Sequence, residues 1–427
     1  MDLWIEGFAK ALGYSSISDH HLANKMAGTS ETVRSFLNEV TRRIRPVFID
    51  RTRSWSHFAT NHEMIGGNLR QSDLFYLCPR EAEAHYGTNT LELMNHFPFW
   101  ETFQNATEIL SHLLNLTFQN ISDNNLERCH SSVRIYAVHD RSRGEHLGRI
   151  YIDPFERVGK RGSWQSFLAR PANSVRKLDK IVYMICAGNE PDQSGQSLLH
   201  HSQLQSLLFQ LGRSVQLLLS QSPYREITIP WMPRFAADWD GADYFPKFVE
   251  CFVYKPNLLK ALSSPNVLTG EELQDTKSDA VSLALSRATL WETYRTLFWA
   301  DYDLSICELE DRRKQFWFDM YRELIAEYFP FPRERYDYHP CSFIPIFTKP
   351  FMSMYYRKLW TEMLALDIHD TFFREKDELS TGERLKNTIL YRGAGESQSQ
   401  LYRMFQGRDP SVGPICDFHD PPAQIED

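Results

Sequence analysis

The chain has little of what marks several specialised classes of protein. Its seven cysteines are dispersed over 427 residues without a CxxC pair, which argues against a disulfide framework or a cysteine-ligated zinc site. No apolar run reaches the roughly 18 residues that a membrane-spanning helix needs. The net charge of −8 is modest. We therefore expect no nucleic-acid partner and no membrane span.

The composition does support a folded protein with a large core, because 42% of the residues are hydrophobic. Residues 1–128 and 191–410 have the spacing of amphipathic helices, whereas 129–190 contains a β-hairpin pattern (132–140 and 147–153) and a buried strand (181–187). These patterns predict one domain of mainly α-helical α+β structure with a small β-sheet. Residues 411–427 are predicted to be a loose tail.

The most informative segment is an apolar helix predicted at 201–220, which contains the sequence LLFQLGRSVQ at 207–216. Gly212 lies inside it. A glycine in a helix interior costs about 1 kcal/mol relative to alanine, so it needs a packing or a functional reason. The simplest interpretation is an amphipathic core helix.

The flanking sequence favours a second interpretation. The helix resembles the zinc-binding helix of the thimet oligopeptidase family of zinc metallopeptidases, most closely its mitochondrial intermediate peptidase branch, where it reads F-H-E-x-G-H-x-x-H. The resemblance covers nearly all of this chain but only the C-terminal part of a typical member. It implies a zincin-like fold whose N-terminal helical domain is largely missing. The matching segments are 31–37, 148–160, 240–250, 359–368, 382–390 and 405–410.

The resemblance also implies that the zinc chemistry is lost. The two histidine ligands fall at Phe209 and Arg213, the general-base glutamate at Gln210, and the third ligand at Asp243. Phenylalanine has no lone pair, and arginine places a permanent positive charge where a dication would sit. Glutamine cannot accept the proton that a metal-bound water must lose. We therefore expect no zinc and no other cofactor.

The family's substrate loop is altered as well. In the family, a glycine-rich loop with several tyrosines contacts the substrate and stabilises the oxyanion. Here the glycine position is Pro350, and the tyrosine positions are Phe351, Tyr355 and Lys358, so one hydroxyl is kept. Proline fixes φ and removes a backbone donor, whereas glycine permits mobility.

Together these changes predict a catalytically inactive relative: a peptide-binding or scaffold protein, or a subunit of a mitochondrial assembly, with an extended peptide or a protein as partner. Arg213 should pair with Asp243, and with Glu250, in the space that zinc would fill, because a buried guanidinium needs a carboxylate. The alternative is an active zinc metalloendopeptidase with a rebuilt site, for which His200 and His201 are candidate ligands beside Asp243 and Glu250.

The resemblance implies a mitochondrial location, but residues 1–6 show no Arg-rich, acid-poor transit segment. Without such a segment the expected location is the cytoplasm.

Overall fold

The computed structural model describes residues 3–62, 68–122, 126–160, 163–173, 176–193, 195–221, 238–309, 315–332, 336–348 and 352–420. Helices dominate these residues and surround one small sheet, which confirms the predicted α+β class. The helices are α1 (Leu3–Ala11), α2 (Ile17–Leu22), α3 (Ser30–Asn61), α4 (Leu74–Tyr86), α5 (Thr90–Leu93), α6 (Phe99–Leu114), α7 (His201–Leu219), α8 (Tyr244–Glu250), α9 (Pro256–Leu262), α10 (Asp275–Glu308), α11 (Trp317–Tyr328), α12 (His339–Ser342), α13 (Arg357–Arg374), α14 (Glu378–Leu385), α15 (Gln398–Gln406) and α16 (Gly413–His419). None of the described helices is long and apolar enough to cross a membrane.

The sheet has the strand order β1-β2-β3-β5-β4 and is mixed. The β3–β5 pair is parallel, with Ile150 opposite Val182, and the other pairs are antiparallel. The predicted hairpin corresponds to β2 and β3, and the predicted buried strand to β5. The strands are β1 (Leu116–Asn120), β2 (Arg134–Asp140), β3 (Glu145–Phe155), β4 (Gln165–Arg170) and β5 (Lys180–Gly188).

Two boundaries differ from the sequence prediction. The helical prediction for 1–128 is wrong at β1, because Asn115 adopts the left-handed conformation (φ 54°), ends α6 and lets the chain pair with β2. The tail predicted at 411–427 contains α16, in which Ile415 and Cys416 are buried. Both elements are short, and each is stabilised by a distant part of the chain.

Helix α7 is the central helix of the fold. It packs on strands β3 to β5 of the sheet and on α8. A Cβ added at Gly212 would lie 3.0 Å from the Pro246 Cα and 3.0 Å from the Val249 Cγ2. The glycine therefore has a packing reason, since it permits the close approach of α7 and α8.

The C-terminal end of α7 is held by a buried lysine. The Nζ of Lys180 donates to the carbonyl oxygens of Leu218 (2.8 Å) and Ser220, which would otherwise lack partners inside the helix. Burial lowers the pKa of Lys180 to about 8. This contact joins the start of β5 to the end of α7 and fixes how the helix lies across the sheet.

The close packing at Gly212 can be tested with a matched pair of glycine substitutions. Gly212→Ala should lower the free energy of unfolding by about 1–2 kcal/mol, because overpacking against the α8 backbone outweighs the gain in helix propensity. Gly7→Ala in α1, where the added Cβ meets nothing within 4 Å, should be neutral or slightly stabilising. Urea unfolding of both variants measures the difference, and an equal response of the two would contradict the packing argument.

Candidate functional site

Three helices bring charged side chains together where the sequence resemblance places the zinc. Arg213 projects from α7, Asp243 caps the start of α8, and Arg357 begins α13. The guanidinium of Arg213 donates to one oxygen of the Asp243 carboxylate, and the Nη2 of Arg357 lies 3.1 Å from the other. The side chains of Arg213 and Asp243 are only 9% and 14% exposed. One carboxylate is thus shared by two arginines in a largely buried cluster.

The side chains of this cluster do not fit a zinc ion. Phe209 offers no donor atom, and Arg213 offers only a cation that is already bound to the acid opposite. Burial lowers the pKa of Arg213 and the Asp243 carboxylate opposes that shift, but a guanidinium stays protonated in proteins. A dication beside two guanidinium groups and one carboxylate would be repelled.

The described residues also offer no relocated metal site. They contain no group of three or more histidine, cysteine, aspartate or glutamate side chains placed to hold a metal ion. His200 lies at the N-cap of α7, where its Nδ1 is 2.9 Å from the Ser202 hydroxyl. His200 and His201 therefore fit the start of a helix better than the alternative ligand set with Asp243 and Glu250.

Glu250 has a different partner from the one expected. Its carboxylate lies 2.7 Å from the Nζ of Lys247, one turn earlier on α8. Although burial works against the charged form, Glu250 and Glu362 raise the pKa of Lys247 well above its ordinary value. Glu250 thus belongs to a second ion pair, because it lies two helical turns from Asp243.

Gln210, at the general-base position, serves as a link between α7 and β4. Its side-chain amide donates to the carbonyl oxygen of Trp164 (3.2 Å), and its own backbone carbonyl accepts from the Ser166 hydroxyl (3.0 Å). The residue is 8% exposed. A neutral amide held in this way cannot act as a proton acceptor.

The altered substrate loop is described from residue 352 onward, so Pro350 and Phe351 lie outside the described residues. The Nζ of Lys358 donates to the Tyr355 hydroxyl (3.2 Å). Of the family's tyrosine positions at 351, 355 and 358, Tyr355 is the one at which this chain keeps a tyrosine. Sequence reasoning missed Arg357, because no local pattern indicates that the residue between Tyr356 and Lys358 reaches Asp243.

A cavity of about 410 Å³ opens beside the arginine cluster. Its wall carries side chains of both signs of charge. The lining residues are Gln205, Phe209, Asp243, Lys247, Glu250, Tyr254, Thr289, Glu292, Thr293, Thr296, Arg357, Lys358, Leu359, Thr361 and Glu362. The structure therefore brings Phe209, Asp243, Glu250 and Lys358 to one cavity.

One solved structure has a similar fold. The chain is similar in fold to the M32 carboxypeptidase from Deinococcus radiodurans R1, with a TM-score of 0.52 and 10% identity over 98% of this chain and 71% of that one. At that identity the similarity concerns the fold alone.

The sequence comparison gives the family. The model of Peptidase family M3 matches residues 4–420, and the chain belongs to that family. The family assignment is thereby confirmed, whereas the mitochondrial intermediate peptidase branch stays a prediction.

Several relatives are similar over nearly the whole chain. Oligopeptidase A of Salmonella typhimurium is 23% identical over 96% of this chain and 60% of the relative. The organellar oligopeptidase A (chloroplastic/mitochondrial) of Arabidopsis thaliana is 24% identical over 95% of this chain and 52% of the relative. Saccharolysin of Saccharomyces cerevisiae is 23% identical over 94% of this chain and 58% of the relative. The chain spans about 60% or less of the length of these relatives.

The dependence of the arginine cluster on its carboxylate can be measured. Asp243→Asn removes the carboxylate charge that the two largely buried guanidinium groups share, and should lower the free energy of unfolding by about 3–5 kcal/mol. Glu39→Gln, in an exposed pair with Arg42, is the matched control and should leave stability unchanged within error. If denaturation shows Asp243→Asn to be as mild as the control, the cluster does not have the role described.

Proposed function

We propose that this chain is a member of Peptidase family M3 that has lost peptide hydrolysis and holds peptides without cutting them. The observation that carries the proposal is the ion cluster of Arg213, Asp243 and Arg357, which fills the place where the family's sequence pattern puts a metal. The whole protein's activity in the relatives does not transfer, since their metal ligands are replaced here.

The size of the rate contributions made by a metal and a general base supports the proposed loss of peptide hydrolysis. In a zinc peptidase the metal lowers the pKa of its bound water from about 15.7 to about 7 and polarises the scissile carbonyl. A general base contributes a further factor of roughly 10² to 10⁴. Phe209, Arg213 and Gln210 supply neither function. The remaining side chains of the cavity could orient a peptide, but the described residues include no ligand set for a metal that would activate water.

Retention of a peptide is supported by the cavity and by the edge of the sheet. Strand β4 lies at the end of the strand order, next to α7, where an extended peptide could add as a further strand. Arg357 and Lys358 on the cavity wall suit acidic groups or a free carboxylate, and Glu362 and Glu292 suit basic groups. A scaffold role would use the same surface for a protein segment.

The competing proposal is an active zinc metalloendopeptidase. The names of the relatives favour it, since two of them are oligopeptidases A. The names also leave the location open, because one relative is organellar and another is described as a probable cytosolic oligopeptidase. The mitochondrial location therefore remains a prediction from the resemblance. Zinc content and peptide cleavage separate the two proposals.

We expect the purified protein to contain no stoichiometric zinc and to leave an octapeptide library intact, while binding part of it. Elemental analysis, mass spectrometry of the library and equilibrium binding measure these three properties. Salmonella typhimurium oligopeptidase A, assayed in parallel, is the positive control. Cleavage that a zinc chelator abolishes would falsify the proposal, and absence of both cleavage and binding would favour the scaffold role.

Restoring the motif should not restore the enzyme. The combined variant Phe209→His, Gln210→Glu and Arg213→His should remain far less active than the positive control, because Arg357 still contacts Asp243 and Lys358 replaces a tyrosine. Peptide cleavage with added zinc, together with the zinc content of the variant, tests this. Activity near that of the control would mean that the loop changes are harmless.

A further inference from the structure

We infer that Asp303 of α10 is a positioning residue that holds residues 352–358 and thereby places Arg357 and Lys358 in the wall of the cavity. The segment from Met352 to Lys358 is called the wall segment below. The inference about its conformation stands on the geometry alone, whereas its effect on peptide binding rests on the proposed function.

The carboxylate of Asp303 clamps the backbone of the wall segment. One oxygen accepts the N–H of Ser353 and the other the N–H of Tyr355, each at 3.0 Å. Ser353 adopts the left-handed conformation (φ +63°), which a serine rarely does. Backbone N–H groups that converge in such a turn form a cradle for an anion. Here the anion is a side chain of the same chain, and Asp303 is only 1% exposed.

Neighbouring contacts tie the rest of the wall segment to α2. The hydroxyls of Ser18 and Ser353 are 3.2 Å apart, and the Nδ1 of His21 lies 3.1 Å from the Met352 carbonyl oxygen.

The far end of the wall segment is tied to the region before α8. Tyr356 donates to Asp240 (2.7 Å), and Arg357 contacts Asp243. The resemblance to the family predicts a glycine-rich loop here, whereas in this chain the segment is held by the carboxylates of Asp303 and Asp240. The position of Arg357 and Lys358 at the cavity therefore depends on Asp303.

The carboxyl of Asp303 is buried, and no described residue places a cation against it. Burial raises the pKa of Asp303 to about 7, and the backbone N–H groups only partly oppose that rise. Its described hydrogen bonds are to backbone N–H groups.

Above pH 7 the carboxyl of Asp303 is ionised, so both of its oxygens can accept the backbone N–H groups of Ser353 and Tyr355. We therefore expect the clamp to be complete at pH 8.

Hydrogen exchange of the wall segment at pH 8 tests the inference on the full chain. Asp303→Asn keeps one carbonyl oxygen as an acceptor and loses the other, so the wall segment should exchange about tenfold faster in this variant than in the wild type. The matched control is Asp301→Asn, because Asp301 pairs with Arg34 and Tyr328 instead and should leave the wall segment unchanged.

Equal protection of the wall segment in Asp303→Asn and the wild type at pH 8 would overturn the inference. Binding of an octapeptide that the wild type retains should weaken in Asp303→Asn and not in Asp301→Asn. If no octapeptide binds any form of the protein, the proposed function fails, but the exchange experiment still decides the role of Asp303.

Discussion

The structure depends on one buried carboxylate that two arginines share. Asp243 joins α7 through Arg213 and α13 through Arg357, so three helices from distant parts of the chain meet at a single charged group. An unpaired buried guanidinium is strongly unfavourable, which makes any arrangement that separates these helices costly. A buried ion pair need not stabilise a fold more than apolar packing would, but once present it restricts the ways in which the helices can pack.

Under the proposed function, this cluster takes over the structural part of a metal's role. In the family's pattern, a zinc ion would link the helix at 201–220 to the acidic residue that follows it, and that link would contribute to folding as well as to chemistry. Arg213 links α7 to Asp243 from within the chain. The proposed loss of catalysis is therefore compatible with the retained architecture and with the cavity beside α7.

The same reasoning applies to the wall segment. A mobile loop needs glycines and few tertiary contacts, whereas residues 352–358 are bound by Asp303, Asp240 and α2. A site that binds without turnover has less need of a loop that opens and closes in each cycle. The ion cluster and the clamped wall are consistent with one role, that of a binding cavity with a preorganised wall.

Local patterns predicted much of the fold. Alternation in period two predicts the β2–β3 hairpin and strand β5, and apolar spacing predicts α7, because one buried face leaves a periodic signal. Strand β1 and helix α16 were missed for the opposite reason. Each element is short, so its pattern of buried and exposed residues repeats too few times to be recognised. Strand β1 is stabilised by pairing with β2, and α16 by packing against α13 and α3.

At the site, the sequence by itself determined which chemistry three side chains cannot supply, because residue type alone decides whether an atom can ligate a metal or accept a proton. Phe209, Gln210 and Arg213 needed no coordinates for that conclusion, and the acidic residue at 243 indicated a partner for the arginine. Only the tertiary structure decided that Arg357 shares this carboxylate, that Glu250 pairs with Lys247, and that Asp303 holds the wall segment. Those contacts join residues up to 114 positions apart, as for Asp243 and Arg357, and such pairings depend on helix packing angles that no local pattern encodes.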